Sequence, residues 1–166
     1  MTTITLQGNE IHTNGKLPEV GSQAPDFSLT TKELTDVSLQ DYAGKKKVIS
    51  IVPSLDTPVC QLSTKKFNDY AEQHADTVIL VVAADLPFAM SRFCGGEGLE
   101  NVITLSMMRD RHFGLNYGVL LEDGPLKGIT ARALLVLDEK NTVLSAELVS
   151  EIADEPDYEA ALAKLG

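Results

Sequence analysis

The stretch from Thr77 to Ala84 constrains the fold more than any other part of the sequence, because it is almost entirely apolar. A strand with one face in water alternates apolar and polar residues, whereas a strand covered on both faces is a continuous apolar run. The run is far too short to cross a bilayer as a helix, which needs about 20 apolar residues. Thr77–Ala84 therefore predicts a central strand in a sheet with further layers on both faces.

Strands and helices alternate around this predicted central strand. A strand at Val48–Val52 and a helix at Pro58–His74 precede it, and a short helix at Pro87–Phe93 follows it. The other predicted elements are a hairpin of about residues 3–13 around Gly8-Asn9, a strand near Phe27–Thr30, a short helix with Leu39 and Tyr42, a strand at Val102–Leu105, a helix near Arg111–Tyr117, strands at Ala133–Leu137 and Val143–Leu148, and a final helix at Asp157–Leu165.

This order of elements predicts an α/β protein with a mixed central sheet flanked by helices. It fits a thioredoxin-like fold with an added N-terminal β-hairpin. A chain of 166 residues is expected to form a single domain over residues 1–166.

Charge and cysteine content exclude several classes of function. The net charge of −10 argues against a nucleic-acid partner, and the one basic run, Lys45–Lys47, is predicted to be a solvated turn beside Gly44. The N-terminus lacks the basic and apolar regions of a signal peptide, so we expect a cytoplasmic protein with no membrane partner. Two cysteines are too few for a disulfide scaffold, and in a reducing compartment a disulfide is more often transient and catalytic than structural.

No sequence pattern indicates a metal or a cofactor. The three histidines lack the spacing of metal ligands, and neither a Cys-x-x-Cys nor a His-x₃-His pair is present. Gly95-Gly96-Glu97-Gly98 does not follow a strand, as a phosphate-binding loop would. We therefore expect neither a bound metal nor a bound cofactor.

Cys60 stands where a cysteine is placed to react. Thr57 suits the N-cap of the predicted helix, and Pro58 suits its first position. Cys60 then falls in the first turn, where backbone amides have no intrahelical partner and the helix dipole favours a thiolate, the nucleophilic form. The alternative is a buried structural thiol, because free cysteines often behave as small hydrophobes.

Cys94 is predicted at the opposite electrostatic pole of a helix. It follows Pro87–Phe93, and Gly95 suits the left-handed residue that ends a helix. The negative end of the dipole disfavours a thiolate at Cys94. A thiol whose ionisation is favoured suits a nucleophile, and a restrained thiol, whose ionisation is disfavoured, suits a resolving cysteine. Chance could also produce this arrangement. For a disulfide the two Cα atoms must come within about 7 Å, and the glycines after Cys94 predict local unwinding that would allow it.

Two further side chains could belong to a site at Cys60. Thr57 lies three residues earlier, so its hydroxyl could face the thiol or a bound substrate, or it could serve only as a cap. Arg132 begins the apolar strand Ala133–Leu137, so its guanidinium could reach a site at the sheet edge and lower the pKa of the thiol. The alternative for Arg132 is a surface position.

The segment from Pro53 to Cys60, with its Pro-x₃-Thr-x₂-Cys pattern, resembles the active-site signature of the peroxiredoxins. Together with Ser91-Arg92-Phe93-Cys94-Gly95, it is similar to the bacterial thiol peroxidase branch, the atypical two-cysteine peroxiredoxins with an intramolecular resolving cysteine. Similar segments also occur at Ala84–Ala89, Glu97–Val102, Asp123–Gly128 and Glu155–Ala160, so the resemblance spans nearly the whole chain.

The resemblance implies a complete catalytic cycle. Cys60 would be the peroxidatic cysteine, which attacks the O–O bond of hydrogen peroxide or an organic hydroperoxide and becomes a sulfenic acid. Cys94 would resolve it as a Cys60–Cys94 disulfide, which thioredoxin reduces. Thr57 would bind the peroxide, Arg132 would stabilise the thiolate, and Pro53 would shield the site from water. The resemblance also implies a homodimer.

Two other functions compete with a peroxidase. A general thiol–disulfide oxidoreductase could use the same fold, but the lack of a Cys-x-x-Cys pair counts against it. A redox sensor without enzymatic activity could use the disulfide only to switch a surface.

Overall fold

A seven-stranded mixed sheet occupies the centre of the protein. The computed structural model describes residues 1–165, apart from the side chains of residues 58–60. The strands are β1 (Thr2–Leu6) and β2 (Asn9–Thr13), which pair as a separate hairpin, followed by β3 (Leu29–Thr30), β4 (Asp36–Val37), β5 (Lys46–Ile51), β6 (Thr77–Ala83), β7 (Ile103–Ser106), β8 (Ala133–Leu137) and β9 (Val143–Leu148). In the sheet their order is β4-β3-β7-β6-β5-β8-β9.

Helices cover both faces of this sheet. They are α1 (Pro58–Gln73), α2 (Pro87–Glu97), α3 (His112–Asn116) and α4 (Tyr158–Ala163), with a 3₁₀ helix at Leu39–Tyr42. One apolar cluster joins the sheet to α1, α2 and α4, and a second joins its other face to α3. Among the described residues no helix has the length and apolar character needed to span a membrane.

Strand β6 lies near the centre of the sheet and is almost completely buried, as the apolar run predicts. Its side chains alternate between the two clusters, with Ile79 and Val81 in one and Leu80 and Val82 in the other. The predicted thioredoxin-like α/β fold with an N-terminal hairpin is confirmed, and β8 and β9 have the predicted bounds.

The strand directions bring several loops to one edge of the sheet. Strands β5, β6 and β7 are parallel, so their carboxyl ends lie together. Strand β8 runs antiparallel to β5 and begins at the same edge, because Ile51 pairs with both Val82 and Ala133. The segments that follow β5 and β6 and the segment that precedes β8 therefore meet there.

The prediction of a solvated turn at Lys45–Lys47 is wrong for its last two residues. Strand β5 begins at Lys46, and Lys47 is fully buried between its neighbours in β6 and β8. Its Nζ atom donates to Asn141 Oδ1 at 2.5 Å, beyond the end of β8. The aliphatic stem of a lysine can cover apolar surface while its amine reaches a polar partner. Burial lowers the pKa of this amine, and the nearby Asp138 and Glu139 partly oppose the shift.

Gly118 permits a close backbone approach that no other residue type allows. Its φ angle is +71°, and a Cβ atom there would lie 2.1 Å from the carbonyl oxygen of Lys16. We expect Gly118→Ala to lower the free energy of unfolding by about 2–5 kcal/mol. An alanine is unfavourable in the left-handed backbone conformation, and the backbone of Lys16 would also have to move to make room for its methyl group. Urea denaturation measures this loss.

Gly44→Ala is the matched control for Gly118→Ala. Gly44 also has a positive φ, +82°, but no heavy atom lies within 4 Å of the position that a Cβ would occupy. Only the backbone penalty of about 1–2 kcal/mol applies there. Equal losses in the two variants would contradict the role of the Lys16 contact.

Candidate active site

The loop from Pro53 to Thr57 leaves the sheet from a fixed point at the end of β5. Val52 N donates to Val82 O at 3.0 Å, and the hydroxyl of Thr130 donates to Val52 O at 3.1 Å. Thr130 is fully buried, and Pro53, at the start of the loop, is buried as well. Both backbone groups of Val52 are therefore hydrogen-bonded, which fixes the position from which the loop begins.

Helix α1 begins as the sequence predicts. Thr57 is its N-cap and Pro58 its first residue, and Gln61 N donates to Thr57 O at 3.1 Å. Cys60 is thus the third residue of a 16-residue helix. The Cys60 side chain, predicted to be the peroxidatic thiol, lies outside the described residues.

The carboxylate of Asp85 holds this loop in place. Ser54 Oγ donates to Asp85 Oδ1 at 2.8 Å, and Leu55 N donates to Asp85 Oδ2 at 2.7 Å. The same Ser54 hydroxyl accepts a hydrogen bond from Asp56 N at 3.1 Å. Sequence reasoning did not single out Asp85, although a carboxylate directly after the central strand was the available signal.

The hydroxyl of Thr57 has a defined orientation. It donates to the carbonyl oxygen of Ser54 at 2.9 Å. A hydroxyl has one proton to donate and two lone pairs to accept. Because the proton is committed to Ser54, the oxygen of Thr57 can meet a ligand only as an acceptor.

Arg132 is buried, so the alternative of a surface arginine is wrong. Only 4% of it is exposed, and its Nε donates to Ile152 O at 2.8 Å. Arg132 directly precedes β8, which begins at the edge of the sheet where β5 ends. This position places the arginine in the interior of the protein.

Contacts around Tyr158 relate Arg132 to the first turns of α1. The Tyr158 hydroxyl lies 2.6 Å from Ser63 Oγ, one turn after Cys60, and the Tyr158 ring packs edge-on against Phe67. Burial raises the pKa of Tyr158 to about 12, while its hydrogen bond to Ser63 and the charge of Arg132 act in the opposite direction. The charge of Arg132 therefore acts on Tyr158, whose hydroxyl and ring contact Ser63 and Phe67 of α1.

The prediction that Gly95 ends the helix at Cys94 is wrong. Helix α2 continues to Glu97, and the left-handed residue that ends it is Gly98, with φ of 69°. The carbonyl oxygen of Cys94 accepts hydrogen bonds from the amides of Gly98 and Leu99. Cys94 therefore lies in the last turn of α2.

Tertiary contacts explain the longer helix. Leu99 is buried in the apolar cluster beneath α2, which stabilises a helix end one turn later than expected. The carboxylate of Glu97 also pairs with the ammonium of Lys65 on α1 at 2.9 Å.

Cys94 is a half-buried free thiol beside a cavity. The cavity has a volume of about 450 Å³ and lies between α2, β7 and the turn after β3, with Lys32, Tyr42 and Thr104 in its wall. Burial raises the pKa of the Cys94 thiol, and the charge of Lys32 partly opposes this shift. The direction agrees with the predicted restrained thiol, but its main cause is burial rather than the helix dipole.

The raised pKa of Cys94 has a consequence for stability. In a Cys60→Ser variant Cys94 is the one remaining thiol. Above about pH 8.5, the ordinary pKa of a cysteine thiol, the unfolded chain loses a proton that the folded protein retains. The free energy of unfolding should therefore fall as pH rises through this range, as measured by urea denaturation at several pH values.

The Cys60→Ser/Cys94→Ser double variant is the control for this effect. It lacks the thiol but keeps the tyrosines and lysines that also titrate at high pH. Its unfolding free energy should fall less steeply than that of Cys60→Ser. Parallel curves for the two variants would show that burial does not restrain the Cys94 thiol.

Comparisons with known proteins agree with this geometry. The Redoxin family model matches residues 19–162. A thiol peroxidase from Leptospira interrogans is 50% identical over 165 residues, which cover 98% of this chain and 96% of the relative.

Two solved structures are similar over almost their whole length. A peroxiredoxin-like protein from Aquifex aeolicus has a TM-score of 0.93 and 39% identity, over 99% of this chain and 96% of that one. A thiol peroxidase from Chromobacterium violaceum has a TM-score of 0.91 and 26% identity, over 99% and 95% of the two chains. The resemblance seen in the sequence is confirmed, and the chain belongs to the Redoxin family and, within it, to the thiol peroxidases, a group of peroxiredoxin enzymes.

Proposed function

We propose that this enzyme reduces hydrogen peroxide and organic hydroperoxides with Cys60 as the peroxidatic and Cys94 as the resolving cysteine, and that thioredoxin restores both thiols. The observation that carries the proposal is the start of α1 at Thr57 and Pro58, which makes Cys60 the third residue of a long helix at the edge where β5 ends. Amides at such a helix start and the positive end of the dipole favour a thiolate.

In the first step, the Cys60 thiolate attacks one oxygen of the peroxide. An S–O bond forms as the O–O bond breaks, the sulfur loses two electrons, and the other oxygen leaves as water or an alcohol after it takes up a proton. The oxygen of Thr57 accepts the hydrogen bond of the peroxide hydroxyl, which suits the orientation fixed by Ser54. The positive charge of Arg132 stabilises the thiolate and the developing negative charge on the leaving oxygen, and the buried Pro53 limits the access of water.

In the second step, the Cys94 thiol attacks the sulfenic acid. An S–S bond forms and the sulfenic oxygen leaves as water. We expect the last turn of α2 to unwind for this step, which breaks the hydrogen bonds to the Cys94 carbonyl and the contact of Glu97 with Lys65. Gly95 and Gly96 lie within that turn and favour unwinding, because glycine destabilises a helix interior by about 1 kcal/mol relative to alanine.

Unwinding would also activate the resolving thiol. In the folded helix, burial holds the pKa of Cys94 above its ordinary value and keeps it protonated. Exposure to water removes that penalty, so the thiolate forms more readily once the turn has opened. Cys94 is then reactive mainly when Cys60 has been oxidised and α2 has opened.

The partners of this cycle follow from the same proposal. Thioredoxin would reduce the disulfide by thiol–disulfide exchange, and a homodimer is proposed from the family resemblance. Exposed apolar side chains beside the site support a protein partner there: Leu62 on α1 is 52% exposed, and Leu86 and Phe88 at the start of α2 are 54% and 65% exposed. A single domain over residues 1–166 and a cytoplasmic location remain predictions.

The two cysteines should show different defects when they are replaced. Cys60→Ser should abolish hydroperoxide reduction, because it removes the nucleophile. Cys94→Ser should consume about one equivalent of hydroperoxide in a single turnover and then stop, with Cys60 open to further oxidation. Hydroperoxide loss in the presence of thioredoxin, thioredoxin reductase and NADPH measures the cycle, and mass spectrometry identifies the oxidised sulfur.

The assay uses both hydrogen peroxide and a bulky organic hydroperoxide. The attack of Cys60 on the O–O bond is the same for each, so both substitutions should have the same effect with either substrate. If Cys60→Ser kept its activity and Cys94→Ser did not react at all, the two roles would be reversed. If the wild-type protein formed the disulfide but did not turn over, the redox-sensor alternative would hold instead.

A further inference from the structure

We propose that Asp85 is a positioning residue for hydroperoxide activation, because its carboxylate fixes the loop that orients the Thr57 hydroxyl. This inference rests on the proposed function of the Cys60 site. It concerns the orientation of the substrate, whereas the activation of the thiolate depends on the start of α1 and on Arg132.

The carboxylate of Asp85 accepts hydrogen bonds from two neighbouring residues of the loop. Ser54 Oγ and Leu55 N lie 2.8 Å and 2.7 Å from its two oxygens. Leu55 is only 1% exposed, so its amide has little access to water. Hydrogen bonds to a charged acceptor in such surroundings are stronger than those between neutral groups.

Ser54 connects Asp85 to Thr57. Its side chain donates to the carboxylate, and its carbonyl oxygen accepts the hydroxyl proton of Thr57 at 2.9 Å. The position of this carbonyl decides where the Thr57 proton points and therefore where the lone pairs of Thr57 point. If the carbonyl moved, the Thr57 hydroxyl would rotate, and its oxygen would no longer be oriented to accept the hydrogen bond of the peroxide hydroxyl.

The backbone of Asp85 is itself fixed at the end of the sheet. Ser106 Oγ donates to Asp85 O at 2.5 Å, and the same oxygen of Ser106 accepts from Met108 N at 3.1 Å. Ser106 is the last residue of β7 and is 1% exposed. The carboxylate thus extends to the loop from a position determined by two parallel strands, which suits a residue that holds another group in place.

Asp85 also lies two residues before Pro87, where α2 begins. The residue that anchors the loop therefore lies next to the start of the helix that carries Cys94. Unwinding at the far end of α2 would leave this anchor intact, so the orientation of Thr57 would be kept while the turn that carries Cys94 is open.

A comparison of two reagents separates positioning of the substrate from activation of the thiol. Reaction with a hydroperoxide uses the Thr57 oxygen, whereas alkylation by iodoacetamide requires only the Cys60 thiolate. In a Cys94→Ser background, Asp85→Asn should lower the rate constant for hydrogen peroxide by about ten- to hundredfold. The rate constant for iodoacetamide should change by less than about twofold, because alkylation does not use the hydrogen bond that the Thr57 oxygen accepts from a hydroperoxide.

Ser54→Ala provides a second variant, which removes one of the two hydrogen bonds that Asp85 accepts from the loop and also the hydrogen bond that Ser54 Oγ accepts from Asp56 N. It keeps the Ser54 carbonyl and the contact of Leu55 with Asp85, so a smaller loss of about three- to tenfold is expected, again for hydrogen peroxide alone. The effects of Asp85→Asn and Ser54→Ala should not add, because both act through one network. Asp69→Asn, at an exposed position late in α1, is the control for loss of one carboxylate.

The outcomes distinguish the proposals. An unchanged hydrogen peroxide rate in Asp85→Asn, or an equal fall in the hydrogen peroxide and iodoacetamide rates, would overturn the role of Asp85. If Asp85→Asn does not fold, Ser54→Ala decides by the same two criteria. If the parent protein with an intact Asp85 does not react with hydrogen peroxide, the proposed function has failed.

Discussion

Two hydrogen bonds at Val52 determine where the reactive part of the chain begins. One comes from pairing with β6 and the other from the buried hydroxyl of Thr130, so the last residue before the loop cannot shift without loss of both. The loop that follows is held by Asp85, and the helix that follows the loop starts at Thr57. The position of Cys60 is therefore set by the sheet, through contacts that lie outside the helix itself.

The two cysteines lie at opposite ends of their helices, in surroundings that act differently on a thiolate. Cys60 lies at the start of a long helix, where the backbone favours an anion. Cys94 lies in the last turn of a shorter helix, where burial opposes one. The burial of Cys94 depends on a helix end that contains two glycines and is held by a few hydrogen bonds and one ion pair, which is why we propose that it unwinds during the catalytic cycle.

Most of the architecture could be predicted from the sequence because buried strands leave a strong local signal. The apolar runs at β6 and β8 could hardly belong to surface elements, and the Thr-Pro pair marks the start of α1 within the sequence itself. The recognised signature likewise lies within short segments around Cys60 and Cys94.

The missed features depend on partners that are distant in sequence. Gly95 and Gly96 have low helix propensity, but Leu99 and the contact of Glu97 with Lys65 extend α2 past them. A basic run such as Lys45–Lys47 is typical of the surface, and the burial of Lys47 depends on its hydrogen bond to Asn141, which is distant in sequence. The proposed role of Asp85 depends on its hydrogen bonds with Ser54 and Leu55, which precede it by 31 and 30 residues. No local pattern contains these pairings, because they are created by the order of the strands.

The pKa of the Cys60 thiol shows whether the start of α1 activates this residue. It is measured from the ultraviolet absorbance of the thiolate as a function of pH in the Cys94→Ser variant, with the Cys60→Ser/Cys94→Ser variant as the background. We expect a value within the range of about 3.5–7.5 that is found for activated cysteines, because the start of the helix stabilises the thiolate. A value near the ordinary 8.5 or so of a free thiol would contradict it.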